Sequence, residues 1–374
     1  MGTRDREQNK VRYAVVGLGH ISQVAILPAF AHARENSELT ALVSGDRHKL
    51  DELGERYGLS ARYGYDQYEA CLASGEVDAV YIALPNDMHR EYAVRAAEAG
   101  VHVLCEKPLA PTEADCEAMI EAAAEHGVRL MTAYRLHFDE GTLKTVELVR
   151  SGKLGAVRSF SSVFTINITD YGNIRLAPIE RGGGSVFDLG VYCINAARHY
   201  FESEPIEAVA RSRSDGDPRF AECDELTTAI LRFPEERFAT FTTSFGAADN
   251  SQYRVVCTDG WVDLEPGYEY AEPLERTTFM DGKLSKDTFA KRDQFAPELV
   301  HFSTCVLNGE EPEPSGWEGL ADVRVVRAIY ESARTGQPVK LAPFSRAKQP
   351  DPDQAMRKPP VRKKPDEVRA RGPR

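Results

Sequence analysis

The chain has 374 residues, enough for about two domains, and its apolar share of 42% can supply ordinary globular cores. The net charge of −12 is uneven, because residues 346–374 hold ten Lys or Arg against four Asp or Glu, so this stretch carries +6 and the rest of the chain −18. An acidic body argues against nucleic acid as the main partner, and no apolar run approaches the ~20 residues of a membrane-spanning helix, so we expect neither nucleic acid nor membrane as a partner.

The first predicted segment is a polar N-terminal extension over residues 1–10, without the apolar stretch of a secretory signal. Seven cysteines at irregular spacings indicate neither a disulfide framework nor a metal site. These features together predict a cytoplasmic protein without a bound metal.

A buried parallel strand is predicted next, because residues 13–16 form an apolar, β-branched run that ends at a glycine. The turn behind it has the form Gly-x-Gly-x-x-Ser and leads into an apolar helix start. In a dinucleotide-binding fold the first glycine permits the tight turn, the second lets the backbone approach a pyrophosphate, and the helix N-terminus adds its positive dipole end. The pattern also fits any strand–turn–helix with two glycines. The predicted cofactor contacts in this turn are Gly17, Leu18, Gly19, His20 and Ile21.

Strand and helix signals alternate up to residue 135. The predicted strands cover 39–44, 79–84, 101–105 and 130–133, and the predicted helices 48–57, 68–74, 87–98 and 113–126. Alternation at this spacing predicts an α/β fold with a doubly wound parallel sheet. Residues 11–135 are therefore an expected Rossmann domain, in which ligands bind at the carboxyl ends of the strands.

The pattern changes after about residue 136. One more helix is predicted over 142–151, followed by alternating apolar and polar runs that indicate strands, with Asp-Gly hairpin turns at 259–260 and 281–282. Amphipathic helices are predicted over 295–307 and 319–333. Residues 136–343 are thus an expected α+β domain with a large, mostly antiparallel sheet, for substrate binding and oligomer contacts. The basic, Pro-rich stretch 344–374 lacks tryptophan and tyrosine and is expected to be a disordered tail.

The choice between NAD and NADP depends on the end of the second predicted strand. Folds that bind NAD usually place Asp or Glu there, to hydrogen-bond the adenosine 2′-hydroxyl. This chain has Ser44 and Gly45 instead, which leaves room for a 2′-phosphate, and Arg47 and Lys49 can supply the countercharge. We therefore predict NADP(H). The alternative is that Lys49 faces solvent and that Asp46 binds the ribose.

Three further stretches carry residues suited to a reaction centre. Two of them, 84–89 and 106–108, directly follow predicted strands, where the nicotinamide half of a cofactor would lie. The third, 182–192, begins with three glycines and opens a helix in the second domain. The further predicted cofactor contacts are Leu84, Pro85, Asn86, His89, Glu106, Lys107 and Arg135.

Taken together, these motifs resemble the glucose–fructose oxidoreductase, inositol dehydrogenase and rhizopine catabolism (Gfo/Idh/MocA) family over about residues 11–341. Most members end the Gly-Gly-Gly…Asp-x-x-x-His motif with histidine. This chain has Tyr192 at that place, which resembles the glucose–fructose oxidoreductase branch, as do the Ser-Gly end of the second strand, the stretch 133–139 and Arg175. The residues around Arg175 depart from that branch, so the resemblance leaves the sugar open.

Oxidation of a sugar hydroxyl requires a base within hydrogen-bond reach of the oxygen while hydride leaves the same carbon. A tyrosine is a poor base at its ordinary pKa of about 10, so we expect the Lys107 ammonium to stabilise the Tyr192 phenolate and to donate to the sugar oxygen. Asp188 lies four residues before Tyr192, so on a helix both share one face, and Asp188 can orient the sugar or hold the lysine. The resemblance also implies a cis Lys107–Pro108 bond. The predicted catalytic residues are Lys107, Asp188 and Tyr192, and these with Arg175 are the predicted substrate contacts.

The resulting prediction is an NADP-dependent oxidoreductase that transfers hydride between the anomeric carbon of an aldose and tightly bound NADP(H), giving the aldonolactone. The resemblance implies hydride transfer from one sugar to another as a further expectation. Two alternatives stay open: a dehydrogenase of a cyclitol or non-anomeric sugar hydroxyl, and a catalytically silent protein that senses NADP or a sugar. The expected partners are a small-molecule sugar and further copies of the chain, in a homodimer or homotetramer through the C-terminal sheet.

Overall fold

The computed structural model describes residues 10–372 except 215, 346, 347, 349 and 363. Six strands form the first sheet: β1 (Val11–Val16), β2 (Ser37–Val43), β3 (Ala61–Tyr63), β4 (Ala79–Ile82), β5 (His102–Glu106) and β6 (Leu130–Ala133). Their order is β3-β2-β1-β4-β5-β6, and every neighbouring pair is parallel. The predicted doubly wound sheet is confirmed, with the three-residue edge strand β3 as an element that the pattern did not predict.

Helices cover both faces of this sheet. A helical stretch over 22–32 follows β1 and has α1 (Leu27–Ala29) at its centre, between a π-helical and a 3-10 segment. The other α-helices of the described chain are α2 (Arg47–Tyr57), α3 (Tyr68–Leu72), α4 (His89–Glu98), α5 (Glu113–Glu125), α6 (Glu140–Arg150), α7 (Val191–Phe201), α8 (Ala296–Asn308) and α9 (Gly316–Thr335). Within the described ranges, none of these helices is both long and apolar enough to cross a bilayer.

The second sheet has nine strands in the described chain. They are β7 (Val157–Asn167), β8 (Glu207–Arg213), β9 (Leu226–Phe233), β10 (Arg237–Ser244), β11 (Gly246–Cys257), β12 (Gly260–Leu264), β13 (Leu274–Met280), β14 (Lys283–Phe289) and β15 (Val339–Lys340). The order is β14-β13-β12-β11-β7-β10-β9-β8-β15, antiparallel except between β7 and β10. Buried and less buried residues alternate along β9, so one face of the sheet packs on helices and the other is open.

Helix α8 departs from the expected domain boundaries. It was expected within the substrate domain over 136–343, but its Leu299 and Phe302 share a buried core with Tyr13 and Val15 of β1. The chain therefore returns to the first sheet after building the second. An amphipathic helix can cover whichever apolar face the topology leaves open, and sequence order alone does not say which face that is.

A disordered tail was expected over 344–374, and in the structure its described residues lie along the body. Arg150 donates to the carbonyl of Pro350 (2.9 Å), Arg357 pairs with Glu140 (2.6 Å), and Met356 packs against the first domain's core. A stretch of this composition cannot build a core of its own. It can still dock on a finished surface, because prolines restrict its backbone and its basic side chains meet an acidic body.

Candidate active site

The turn after β1 is shaped for close approach of the backbone. Gly17 has a φ of 93°, and a Cβ there would lie 2.4 Å from the carbonyl oxygen of Ala83, so only glycine fits. The hydroxyl of Ser22 is fully buried and donates to the Gly17 carbonyl (2.6 Å), which shows why a small residue is needed where the fingerprint usually has a third glycine. No described atom lies within 4 Å of the place that a Cβ on Gly19 would take. The turn therefore offers a free backbone cradle that fits a pyrophosphate.

The side chains of three predicted residues in this turn have other roles. Leu18 is buried in the first domain's core, Ile21 packs against that core, and the His20 ring is hydrogen-bonded to Glu367 (2.7 Å). Leu18 and Ile21 can therefore contact a cofactor through their backbone, with their side chains fixing the turn.

The end of β2 carries the charges expected near an adenosine 2′-phosphate. Asp46 is the N-cap of α2, and its carboxylate accepts hydrogen bonds from the backbone N–H groups of His48 (2.9 Å) and Lys49 (3.4 Å). The backbone N–H of Asp46 donates to the hydroxyl of Ser44 (3.2 Å). Because the Asp46 carboxylate caps the N-terminus of α2, the geometry favours NADP over the alternative in which Asp46 binds the ribose.

The two predicted cations at this end differ in their partners. Arg47 is well exposed and pairs with Asp51 one turn along α2 (3.3 Å). Lys49 makes no ion pair with any residue that the structure describes. Of these two cations, Lys49 is therefore the one without an ionic partner in the described chain, and the ring of Tyr65 lies against Gly45.

His89 was predicted to contact the cofactor, and the structure contradicts this for its ring. The ring is completely buried. Its Nε2 lies 3.0 Å from the carbonyl oxygen of Leu84, and its Nδ1 lies 3.1 Å and 3.2 Å from the carbonyl oxygens of Pro108 and Leu109. Burial lowers the pKa of His89 on balance. The ring ties the end of β4 to the loop after β5, so His89 positions neighbouring residues.

The loops after β4 and β5 meet the second domain. The side-chain amide of Asn86, next to Pro85, donates to the carbonyl of Gly182 (2.7 Å), the first glycine of the triple-glycine segment. Gly182 has a φ of 82°, and a Cβ there would lie 2.7 Å from Cβ of Asn86, so the two segments touch only because this residue is glycine. This contact joins the two domains beside the groove that is expected to hold the nucleotide.

Lys107, Asp188 and Arg175 form a partly buried charged cluster across that groove. Nζ of Lys107 donates to the Asp188 carboxylate (3.0 Å) and to its backbone carbonyl (2.9 Å), and Nε of Arg175 donates to the other carboxylate oxygen (2.7 Å). Burial acts to raise the pKa of Asp188, but Arg175 and then Lys107 hold it well below its usual range. Burial acts to lower the pKa of Lys107, but Asp188, Tyr192 and Glu106 together raise it on balance. The Lys107–Pro108 bond is cis, as the resemblance implied.

The ring of Tyr192 lies beside this cluster. Nζ of Lys107 is 4.6 Å from the ring centroid and the guanidinium carbon of Arg135 is 5.0 Å from it, while Phe164 packs edge-on at 5.8 Å. The expected neighbourhood of lysine, aspartate and tyrosine is therefore present. Two cations thus lie within 5.0 Å of the centroid of this ring.

Arg135 was predicted as a cofactor contact, and the structure places it in this cluster of aromatic and charged residues. Its guanidinium donates to the side chain of Gln294 and to the backbone carbonyl of Tyr268, and it lies 5.3 Å from the ring of Tyr270. Sequence reasoning missed Gln294, Tyr268 and Tyr270. They lie in irregular segments more than 130 residues away from Arg135, and no spacing rule connects them.

Glu106, which directly precedes Lys107, is fixed by hydrogen bonds. It accepts hydrogen bonds from the hydroxyl of Tyr81 (3.0 Å) and from the backbone N–H of Lys107 (3.2 Å), and burial raises its pKa. Glu298 of α8, which sequence reasoning also missed, is fully buried and lies 3.4 Å from the same hydroxyl. Burial raises the pKa of Glu298 well above its usual value.

A second group of side chains has the composition of a metal site. Ligand atoms of His137, His199 and Glu318 lie within 4.8 Å of one another in the interior. However, Glu318 pairs with the buried guanidinium of Arg198 (2.9 Å), and His137 is hydrogen-bonded to Asn195 (3.0 Å). The buried arginine already occupies the place of a cation, so we interpret this group as a structural network.

Comparison with known proteins decides the family. A model described as an oxidoreductase family with an NAD-binding Rossmann fold matches residues 11–134, and a model of the GFO/IDH/MocA C-terminal domain matches residues 142–263. The chain belongs to the GFO/IDH/MocA oxidoreductase family. The resemblance inferred from the motifs is thereby confirmed, and the two matches cover the first sheet and most of the second.

Individual members of the GFO/IDH/MocA family are similar over nearly their full length. D-xylose 1-dehydrogenase (NADP(+)) 2 of Haloferax volcanii is 34% identical over 332 residues, which cover 88% of this chain and 99% of that protein. The crystal structure of an aldose–aldose oxidoreductase from Caulobacter crescentus with glycerol superposes with a TM-score of 0.84 and 39% identity, over 89% of this chain and 100% of that one. A 3-ketoreductase from Actinomadura kijaniata in complex with NADP and TDP-benzene superposes with a TM-score of 0.79 and 28% identity, over 87% and 98%. The chain is therefore an oxidoreductase with a dinucleotide-binding Rossmann domain.

Proposed function

We propose that this enzyme oxidises the anomeric hydroxyl of an aldose to the lactone, with Tyr192, Lys107 and Asp188 as its catalytic residues. The observation that carries the proposal is the cluster across the groove, where Lys107 of the first domain and Asp188 of the second are 3.0 Å apart beside the ring of Tyr192. The names of the similar xylose dehydrogenase and aldose–aldose oxidoreductase support an aldose as the substrate.

Bound NADP⁺ supplies a hydride acceptor. The residues that fit it are Gly17 and Gly19 for the pyrophosphate, Ser44 and Lys49 for the 2′-phosphate, and Glu106 near the nicotinamide half. The open space over Gly19 and the unpaired ammonium of Lys49 among the described residues are the features that fit these groups.

The proton of the sugar hydroxyl goes to the phenolic oxygen of Tyr192. Lys107 and Arg135, the two cations beside its ring, stabilise the phenolate that accepts it. Asp188 stays ionised because of its two cationic partners, and a carboxylate is an acceptor for sugar hydroxyls. Arg175, held by Asp188, presents further donors to the sugar oxygens. In the reverse direction Tyr192 returns the proton.

We further propose that hydride can pass from one aldose to another without release of the nucleotide. The name of the similar Caulobacter enzyme, an aldose–aldose oxidoreductase, supports this step. The enzyme without added nucleotide should then convert a mixture of two aldoses into a lactone and a sugar alcohol. A requirement for stoichiometric free NADP⁺ would contradict it.

The first test replaces Tyr192 by phenylalanine. Because the phenolic oxygen carries the proton, turnover should fall by ~10²-fold or more, the usual contribution of acid–base catalysis, with the Kd for NADPH unchanged. Tyr200→Phe is the matched control, since Tyr200 lies on the same helix and bonds the hydroxyl of Tyr253 (2.9 Å) away from the cluster. Equal turnover in Tyr192→Phe and wild type would remove Tyr192 from the mechanism.

A second candidate is oxidation at a non-anomeric carbon, favoured by the similarity to a 3-ketoreductase. An experiment with an aldose that carries deuterium at C1 distinguishes anomeric from non-anomeric oxidation. Anomeric oxidation moves the deuterium onto the reduced nucleotide, where mass spectrometry detects it. Unlabelled reduced nucleotide together with a keto-sugar product would establish the second candidate.

We also propose that the open face of the second sheet pairs copies of the chain. Ile230 and Phe238 are 43% and 40% exposed on this sheet, and large exposed apolar side chains on one sheet are typical of an interface. Sedimentation analysis should show a dimer or tetramer, and Ile230→Glu should dissociate it. A monomer at micromolar concentration would contradict this.

A further inference from the structure

The last described segment of the chain lies on the dinucleotide turn. Residues 364–372 follow the part of the tail that docks on the body, and they run between the helical stretch after β1 and helix α2. The carbonyl of Asp366 accepts a hydrogen bond from Arg56 of α2 (2.8 Å). The family models match residues 11–134 and 142–263, so this segment lies outside both.

Two specific contacts fix the segment to the turn. The carboxylate of Glu367 is 2.7 Å from Nδ1 of His20, within the Gly-x-Gly-x-x-Ser turn itself. The side-chain amide of Gln23 holds both backbone groups of Val368: it accepts from the N–H (2.7 Å) and donates to the carbonyl (2.9 Å). Gln23 is fully buried and also donates to the Leu18 carbonyl, so its amide is satisfied only with the segment in place.

The segment then brings a cation to the end of β2. The guanidinium of Arg369 lies 3.5 Å from the carboxylate of Asp46, the N-cap of α2. Burial acts to raise the pKa of Asp46, but the N–H groups of Lys49 and His48, and then Arg369, lower it on balance. Asp46 therefore stays ionised beside the place where a 2′-phosphate would bind. An anion there repels a phosphate unless a cation neutralises it.

The segment does not fill the pyrophosphate cradle. Apart from Gly19 and its two chain neighbours, no described atom, including those of 364–372, lies within 4 Å of the Cβ position on Gly19, although Gly372 lies against the His20 ring of the same turn. The backbone at Gly19 thus stays open to a phosphate while the segment is docked. This argues that the segment closes over a bound nucleotide instead of competing with it.

We propose that residues 364–372 form a strap over the adenosine side of the NADP(H) site, and that Arg369 is a contact for the 2′-phosphate, together with Lys49. Glu367 and Val368 anchor the strap on the turn, and Arg369 neutralises Asp46. The strap retains the nucleotide and favours NADP(H) over NAD(H). The inference rests on the proposed placement of the nucleotide across the ends of β1 and β2, and it explains how nucleotide could stay bound between two sugars.

The test measures nucleotide release, not turnover. The enzyme is loaded with NADPH or NADH, an excess of oxidised nucleotide is added, and the loss of reduced-nucleotide fluorescence gives the dissociation rate constant. We compare the full-length enzyme, a chain that stops before Lys364, and Arg369→Ala. Arg357→Ala is the matched control, because it removes the same side chain from the same tail where it pairs with Glu140.

In Arg369→Ala, NADPH release should be ~10-fold faster, the value of one charge-assisted contact, while NADH release changes by less than about twofold. The truncated chain should release both nucleotides faster, and NADPH by the larger factor. The control should match wild type, and equal melting temperatures exclude a folding defect.

Unchanged NADPH release from a truncated chain that still binds NADPH would overturn the proposed strap but not the nucleotide placement. Tighter NADPH binding after truncation would show a competitor and overturn it too. A full-length chain that binds no NADPH would overturn the nucleotide placement and the strap together.

Discussion

The catalytic end and the adenosine end of the groove hold their charges in different ways. At the catalytic end, the side chains of Lys107 and Asp188 are only 10% and 20% exposed and lie 3.0 Å apart. At the adenosine end, Arg47 and Asp51 are 73% and 49% exposed and lie 3.3 Å apart. Water and salt screen the second pair far more than the first.

The difference in burial indicates a different role for the charges at each end of the groove. Charges in a partly buried cluster fix geometry and respond strongly when one partner is lost, which suits a reaction centre. Exposed charges attract a phosphate over a distance, and their contribution to its binding depends on the salt concentration. A substitution at the catalytic end should therefore change turnover, and one at the adenosine end should change nucleotide affinity in a salt-dependent way.

The largest effect is expected for Asp188→Asn. The neutral amide no longer holds Lys107 and Arg175, and misplacement of catalytic groups by about 1 Å can lower turnover ~10²-fold. NADPH affinity should stay near that of wild type. Asp217→Asn is the control, since its carboxylate pairs with Arg219 at the surface (2.7 Å), and its turnover should not change. Comparable turnover in Asp188→Asn and wild type would contradict the contrast between the two ends.

The stability of Asp188→Asn relative to wild type should depend on pH. The pKa of Asp188 in the folded enzyme lies below the ordinary value of 3.8, so its charged form stabilises the fold at any pH above that value. This contribution is lost as the pH falls below about 3.8 toward the lower folded pKa. The difference in unfolding free energy between wild type and Asp188→Asn should therefore be constant near neutral pH and shrink only in acid. Denaturant titrations at a series of pH values measure it.

Local signals predicted most of the first domain. The glycine turn and the strands before it and after it depend on neighbours within a few residues. The structure adds a contact of the same local kind at the start of α5, where the side chain of Thr112 accepts from the N–H of Asp115. The catalytic cluster was also predictable, because strand ends and i,i+4 spacing place Lys107, Asp188 and Tyr192. Their meeting across two domains followed from the family resemblance and not from spacing.

Contacts between distant segments could not be predicted in the same way. Gln294 and Arg135 are hydrogen-bonded across 159 positions of the chain, and α8 packs on β1 across nearly 300. The composition of the tail predicts that it cannot fold alone, but not that Glu367 meets His20. Docking on a finished surface depends on that surface, which no local pattern describes.

A smaller effect is expected for His89→Phe, which tests whether this ring supports the catalytic end or contacts the nucleotide. Loss of the hydrogen bond that the neutral ring donates to the carbonyl of Leu84 or of Pro108 should lower the unfolding free energy by ~1–3 kcal/mol, with the NADPH Kd unchanged. His126→Phe, at the exposed end of α5, is the control. Weaker NADPH binding at unchanged stability would restore the predicted cofactor contact.

The smallest effect is expected for Lys49→Ala, at the adenosine end. Its ammonium has no ionic partner within the described chain, so loss of a contact to the 2′-phosphate should weaken NADPH binding ~10-fold and leave NADH binding unchanged. Arg47→Ala should have less effect, because Arg47 already pairs with Asp51. Since these charges are exposed, the effect of Lys49→Ala should shrink between low and high salt, whereas the turnover defect of Asp188→Asn should not. If both defects respond to salt alike, burial is not what distinguishes the two ends of the groove.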